Sequence, residues 1–207
     1  MTRDASSFGR NSPYLRQQPL VLVICEDEKS SKDYLTDAKV HYRATAMVDV
    51  ANVGHSDPRG IVRKAIQKST KFDQVFCVID RDTHPTFNEA VALARENPKV
   101  VLITSYPCFE YWLYLHFKYT RRTFRRSGVH SPADQMIGHL KKCEGMKNYD
   151  KGQVKSLFKT LLPRLPNAFV HAARSVNDAA KDGESDPSTQ LHLVLEKFAE
   201  LGKTVKL

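Results

Sequence analysis

The 207-residue sequence predicts an α/β fold: a mainly parallel sheet of about four strands flanked by helices, with a C-terminal helical portion. Three observations carry this. Val21-Leu22-Val23-Ile24-Cys25 and Val75-Phe76-Cys77-Val78-Ile79 are unbroken apolar runs of β-favouring residues, the pattern of strands covered on both faces. Such runs alternate with helical patterns, the order of βαβ units. Both runs end in acid, with Glu26 after the first and Asp80 and Asp82 after the second, and ligands of open α/β sheets gather beyond the carboxyl ends of the strands.

After the first strand, Ser30-Ser31-Lys32-Asp33 offers an N-cap with an acid three residues on and opens a helix through about Lys39. Ala46 to Val53 reads as the second strand. Asn52 to Pro58 is loop chemistry, and Arg59 to Ser69 is a helix with Ile61, Val62, Ala65 and Ile66 on one side. Phe72 to Ile79 forms the third strand. Pro85, suited to a helical first turn, starts a helix through about Glu96. Val100 to Thr104 is the fourth strand, and the apolar stretch Phe109 to Phe117 is helical. From Ser127 the composition turns to Lys-rich helical segments, clearest at Lys155 to Leu162 and Leu191 to Leu201, with a polar loop from Lys181 to Ser188. The expected organisation is a loose N-terminal arm over 1–19, a catalytic core over 20–126, and a helical portion over 127–207 packed on that core.

A hydrophobic content of 41% with 27% charged residues is that of an ordinary globular protein. No apolar stretch approaches the roughly 20 residues needed to span a bilayer, and the polar start of the chain lacks a signal-peptide core. A cytoplasmic location with no membrane partner follows. Cys25, Cys77, Cys108 and Cys143 form no CxxC pair and no zinc spacing. Cys25 and Cys77, inside strand runs, are expected to be buried thiols. A formal charge of +9 favours a polyanionic partner, with nucleic acid, DNA or RNA, first in line. Lys118, Arg121, Arg122, Arg125 and Arg126 surround Tyr119 and Phe124, a composition suited to phosphate contact with base stacking. The competing reading is a solvated helix end with its favourable C-terminal cations.

The chemistry rests on the acids. Asp80 and Asp82 can reach one cation if the backbone bends, while Glu26 arrives from another strand. Mg²⁺, or Mn²⁺, takes hard oxygen ligands and commonly retains waters and substrate phosphate oxygens, so few carboxylates suffice. Such a site polarises a phosphodiester. Glu26 is then a metal ligand or the general acid/base. The bland alternative makes Asp80-Arg81-Asp82 a charged turn before the next helix. Glu110 is an acid inside an apolar helix start, where burial without a partner is costly; either a metal or basic group satisfies it, or the helix macrodipole does. Lys29, Arg81 and His84 lie beside the acids and serve phosphate binding or proton transfer; the alternative is a solvated or ion-paired role for Lys29 and Arg81, and for His84, which precedes Pro85, the shaping of the loop. His116 and His192 read as packing histidines. Lys147 to Lys151 is either a substrate-facing loop or a surface turn.

The pattern of Glu after the first strand and DxD after the third resembles the Toprim fold of topoisomerases, bacterial primases and OLD-type nucleases. More closely, Cys25-Glu26-Asp27-Glu28-Lys29, Asp80-Arg81-Asp82-Thr83-His84, Pro107-Cys108-Phe109-Glu110-Tyr111-Trp112-Leu113 and Asp186-Pro187-Ser188-Thr189 resemble, in order, four motifs of the RloB-like family of phage-defence proteins. Asp27, Tyr106 and Asp186 stand where that family usually has Gly, Asn and Asn. The resemblance implies a Toprim nuclease with Glu26, Asp80 and Asp82 at the metal and Glu110 assisting, often encoded with an ATPase partner.

Two rivals come from other classes. A non-catalytic Toprim module would bind nucleic acid or the ATPase partner, with Asp27 as the mark of a spoiled site, since an added side chain and charge crowd a position where Gly allows close approach. A haloacid-dehalogenase-like phosphatase would use its DxD as an aspartyl nucleophile; its motif would follow the first strand and continue Gly-Thr, whereas here Thr83-His84 follow the third.

Overall fold

The computed structural model describes residues 18–54, 57–81, 84–153 and 155–203. Most of the expected N-terminal arm, and Asp82, lie outside the described residues. Four parallel strands, β1 (Val21–Cys25), β2 (Val48–Ala51), β3 (Gln74–Asp80) and β4 (Val100–Tyr106), are joined by a short antiparallel β5 (Ser188–Thr189). Their order across the sheet is β2-β1-β3-β4-β5. The sequence reading leaves β5 inside a polar loop, because two residues, Ser and Thr, carry no apolar pattern. It is tertiary pairing with Ser105 and Tyr106 that makes them a strand.

The unbroken apolar runs have a direct cause: β1 and β3 face helices on both sides. Val21, Val23, Cys25, Phe76 and Val78 enter one apolar cluster, and Leu22, Ile24, Val75, Cys77 and Ile79 enter another. The second cluster is closed by α2 (Pro58–Lys68) and α3 (Phe87–Arg95). The first and larger is closed by α1 (Ser30–His41), α4 (Phe109–Leu115), α5 (Pro132–Leu140), α6 (Leu157–Leu161), α7 (Leu165–Asp182) and α8 (Leu191–Leu201). Each fully buried Leu, Ile, Val or Phe stabilises the fold by about 1.5–3 kcal/mol, so these two layers hold the strand ends in register. All four cysteines are free and buried. No described helix is long and apolar enough to cross a membrane.

Local chemistry moves several boundaries. The second strand ends at Ala51 rather than Val53 because the Asn52 side chain takes over, donating from Nδ2 to the carbonyls of Cys25 (3.1 Å) and Glu26 (2.9 Å). Helix α1 is capped from further upstream than Ser30: Asp27 accepts the amides of Lys29 (2.9 Å) and Ser30 (3.0 Å). Helix α2 has Asp57 as N-cap, accepting from Gly60 N, with Pro58 in the first turn. Helix α4 stops at Leu115, so the basic segment that follows is irregular chain and not a helix end. The longest helix, α7, ends at Gly183, whose φ of 75° suits a left-handed cap.

Candidate active site at the carboxyl edge of the sheet

Parallel pairing of β1 with β3 sets Cys25 opposite Val78, and Glu26 N continues the ladder to Val78 O (3.0 Å). Glu26 therefore emerges beside the end of β3. Its Oε2 accepts the Asp80 amide at 3.0 Å, and its Oε1 lies 3.3 Å from His84 Nε2. Asp80, the last residue of β3, pairs with Ser105 of β4. Glu110, on the first turn of α4, is fully buried. Its Oε1 accepts a hydrogen bond from Tyr149 Oη at 2.9 Å, while Oε2, shielded from solvent, has no hydrogen-bond partner.

Asp80 feels these neighbours. Burial, then the charges of Glu110, Glu26 and Asp27, hold its carboxyl well above the ordinary range, with Lys151 acting in the opposite sense. Lys151 answers the same group: burial disfavours its charge, yet Glu110, Asp80 and Asp27 together raise its pKa above the usual lysine value. Its Nζ stands 3.9 Å from Asp27 Oδ2. Cys108, buried beside Glu110 and Asp80, has its thiol pKa pushed up by burial first and by those charges next. Three acids, Glu110, Asp80 and Asp27, thus act on one lysine, with Glu26 beside Asp80. The donor chemistry is all hard oxygen, and the unpartnered Glu110 Oε2 marks a place for a cation or donor. Among the described residues no three His, Cys, Asp or Glu side chains are grouped closely enough to hold one ion, and Asp82 lies outside them.

Tyr149 and Lys151 are the residues on which sequence reasoning was evenly divided between loop and turn. The segment is brought down by Gly152, whose amide donates to Ser30 Oγ at 3.1 Å. With φ +78° and the Lys29 side-chain carbons 2.5–3.0 Å from where a Cβ would stand, only glycine fits there. Lys29 itself is exposed at the start of α1. Arg81 lays its guanidinium 4.2 Å over the Phe87 ring. Asp27 has no left-handed backbone requirement, and its carboxylate is engaged as the α1 cap; the Gly-to-Asp departure is locally accommodated while adding charge beside Asp80.

The basic segment divides by direction. Lys118, Arg122, Arg125 and Arg126 are exposed. Arg121 turns onto the loop after α7, donating to Asp182 (2.7 and 3.0 Å), to Glu184 O (2.7 Å) and to Pro187 O. The two aromatics also turn inward: Phe124 is buried, and Tyr119 donates to Asp178 at 2.5 Å with Arg174 over its ring. The aromatics anchor the segment on the core while Lys118, Arg122, Arg125 and Arg126 are left outside.

The RloB-like protein family model matches residues 21–198. The chain belongs to that family. The match runs from the first residue of β1 into α8, so every residue placed at the site above lies within it. No curated protein and no solved structure matches the chain.

Proposed function

We propose that the chain is a metal-dependent nuclease that hydrolyses phosphodiester bonds of DNA or RNA in a phage-defence system, working in the cytoplasm with an ATPase partner. The observation that carries this reading is the convergence of Glu26, Asp80 and Glu110 at the carboxyl edge of β1 and β3, with more buried acid than Lys151 alone can balance. Asp80 and Asp82 would hold Mg²⁺ or Mn²⁺, which supplies Lewis-acid polarisation of the phosphate when bound, and Glu26 beside them serves as the base. Glu26 takes the proton of the attacking water, and His84, 3.3 Å away, is placed to relay it to solvent. As the water oxygen bonds to phosphorus, the phosphorus–oxygen bond to the leaving nucleoside breaks, and that oxygen takes a proton from solvent water. Glu110 orients the acid cluster through its bond to Tyr149. Lys29, Arg81 and Lys151 counter charge on the phosphate oxygens, and Lys118, Arg122, Arg125 and Arg126 bind the flanking backbone.

A second reading, a non-catalytic Toprim module, is supported by Lys151: its ammonium, partly exposed and 3.9 Å from Asp27, already offsets part of the negative charge without any metal. One experiment separates the two. Purified protein and its Asp80→Ala variant are incubated with labelled DNA, total RNA and tRNA, in Mg²⁺ or Mn²⁺ and in EDTA. The nuclease reading expects metal-dependent cleavage that the variant loses while still binding. Cleavage retained in Asp80→Ala overturns the mechanism, and binding without cleavage transfers the case to the module.

A further inference from the structure

We propose that the outward face of α2 is a second surface for the sugar–phosphate backbone, holding the stretch of nucleic acid that lies beyond the carboxyl edge on the side away from segment 118–126. This rests on the nucleic-acid reading above and adds Arg63 and Lys64, with Arg59, to the residues that hold the polymer. Helix α2 buries Pro58, Ile61, Val62 and Ala65. Its other face carries a groove of about 360 Å³ lined by Asp57, Arg59, Gly60, Arg63, Lys64 and Gln67. The helix holds four cations, Arg59, Arg63, Lys64 and Lys68, and no acid. Asp57, the one acid of the groove, is engaged: its Oδ1 accepts from Gly60 N at 3.1 Å and from Thr86 Oγ1 at 3.2 Å. Glu89 of α3 pairs with Arg59 at 2.9 Å, and among the described residues Arg63 and Lys64 enter no ion pair.

This arrangement works against the helix that carries it. Arg59 stands in the first turn, where the macrodipole disfavours a cation, and Arg59 with Arg63 and Lys64 with Lys68 are like charges four residues apart, which repel. A polyanion laid along the face removes both costs and gains from the release of its counterions. Position favours a long polymer over a lone phosphate. Thr86, between β3 and α3, ties the start of α2 to the carboxyl edge. The basic segment meets the same edge from the other layer: Phe124 packs in the first apolar cluster, and its amide donates to Asp186, two residues before the Ser188 that pairs with Tyr106. Helix α2 closes the second cluster. The two sets of cations therefore lie on opposite faces of the sheet, with Glu26 and Asp80 between them. Phosphates held by Arg63 and Lys64 sit on the helix and not against those acids, so this contact needs no metal.

The test is fluorescence anisotropy of labelled single-stranded DNA and RNA of about 20 nucleotides, longer than one strand-binding site, titrated with the full chain in EDTA over a series of salt concentrations. Arg63→Gln combined with Lys64→Gln should lower the slope of log K against log salt by about 1.4, two lost contacts at about 0.7 each. Arg63→Lys combined with Lys64→Arg, which keeps both charges, should bind as the native protein does. The control is Arg43→Gln combined with Lys71→Gln, exposed cations in the chain leading into β2 and β3 at the opposite edge; it removes the same charge and should lower the slope by less than about 0.3. An unchanged slope in the Arg63 and Lys64 pair, or an equal loss in that pair and the control, overturns the proposal. So does capture on phosphatidylserine vesicles that the pair loses while its oligonucleotide binding stands, which gives the face to a membrane. Binding lost in Arg122→Gln with Arg125→Gln but kept in the α2 pair overturns the α2 surface alone, whereas a native chain that binds neither polymer overturns the nucleic-acid reading itself.

Discussion

Glu110 and His116 are fully buried titratable residues six positions apart, one on α4 and one at its C-cap. His116 is matched: Nδ1 meets Trp112 O at 3.1 Å, Nε2 meets Tyr34 Oη at 3.3 Å, and the rings of Trp112 and Tyr34 meet it edge-on. Glu110 is matched on one oxygen only and faces further acids. A buried polar group with every partner in place specifies a core, whereas one left short of partners marks a site that awaits something. The same short helix thus carries a fully partnered group at one end and a partly unpartnered one at the other.

The largest expected effect breaks that comparison if it fails. Glu110→Gln should lower metal-dependent cleavage by at least about 100-fold, whereas His116→Gln should leave it within about two-fold, both read from initial rates on the polymer that the native protein cuts. Next comes acid stability. Burial depresses the His116 pKa to about 4 from 6.5, so the folded state favours the neutral ring. Its contribution is complete above about pH 6.5 and is lost as the pH falls toward 4, up to roughly 3 kcal/mol. Asp80 carries the opposite sign: its raised pKa makes stability fall as the pH rises above the ordinary carboxyl value. Urea unfolding between pH 4 and 7 should show the His116 slope vanish in His116→Gln and the opposing slope vanish in Asp80→Asn. Tyr149→Phe leaves both Glu110 oxygens without a partner and should cost about 1–3 kcal/mol in EDTA, measured by the same unfolding. The smallest effects concern the surface. Each of Arg122, Arg125 and Arg126 replaced by Ala should reduce the slope of log K against log salt by up to about 0.9. Arg121→Ala should instead loosen the loop over 184–187, seen as faster amide exchange there.

The strands and the Glu26–Asp80 edge were legible because a run such as Val75 to Ile79 needs both faces covered and an acid directly after it has nowhere else to go. Glu110 was legible as an anomaly, an acid amid Phe109, Tyr111 and Trp112. The roles of Tyr149 and Lys151 were not, because the segment reaches the site through Gly152 packing on Lys29, a contact 123 positions apart in sequence that no local pattern encodes. The direction of Arg121 was not legible for a similar reason: its partners Asp182, Glu184 and Pro187 lie some sixty residues on. Helices α5 and α7 lacked bounds in the sequence; the buried face of α7 is Leu165, Ala168, Ala172 and Ser175, mostly small residues that do not stand out in a polar stretch.

Strand β5 joins Ser188 and Thr189 to Tyr106 and Ser105, and domains form as their residues emerge during synthesis. The growing chain makes the acidic edge of β1 and β3 once Asp80 is in place, receives Tyr149 and Lys151 later, and obtains β5 later still. A nascent chain still lacking residue 188 has the acids without the strand edge beside β4, so the sheet that carries the site is completed long after the acids themselves have been made.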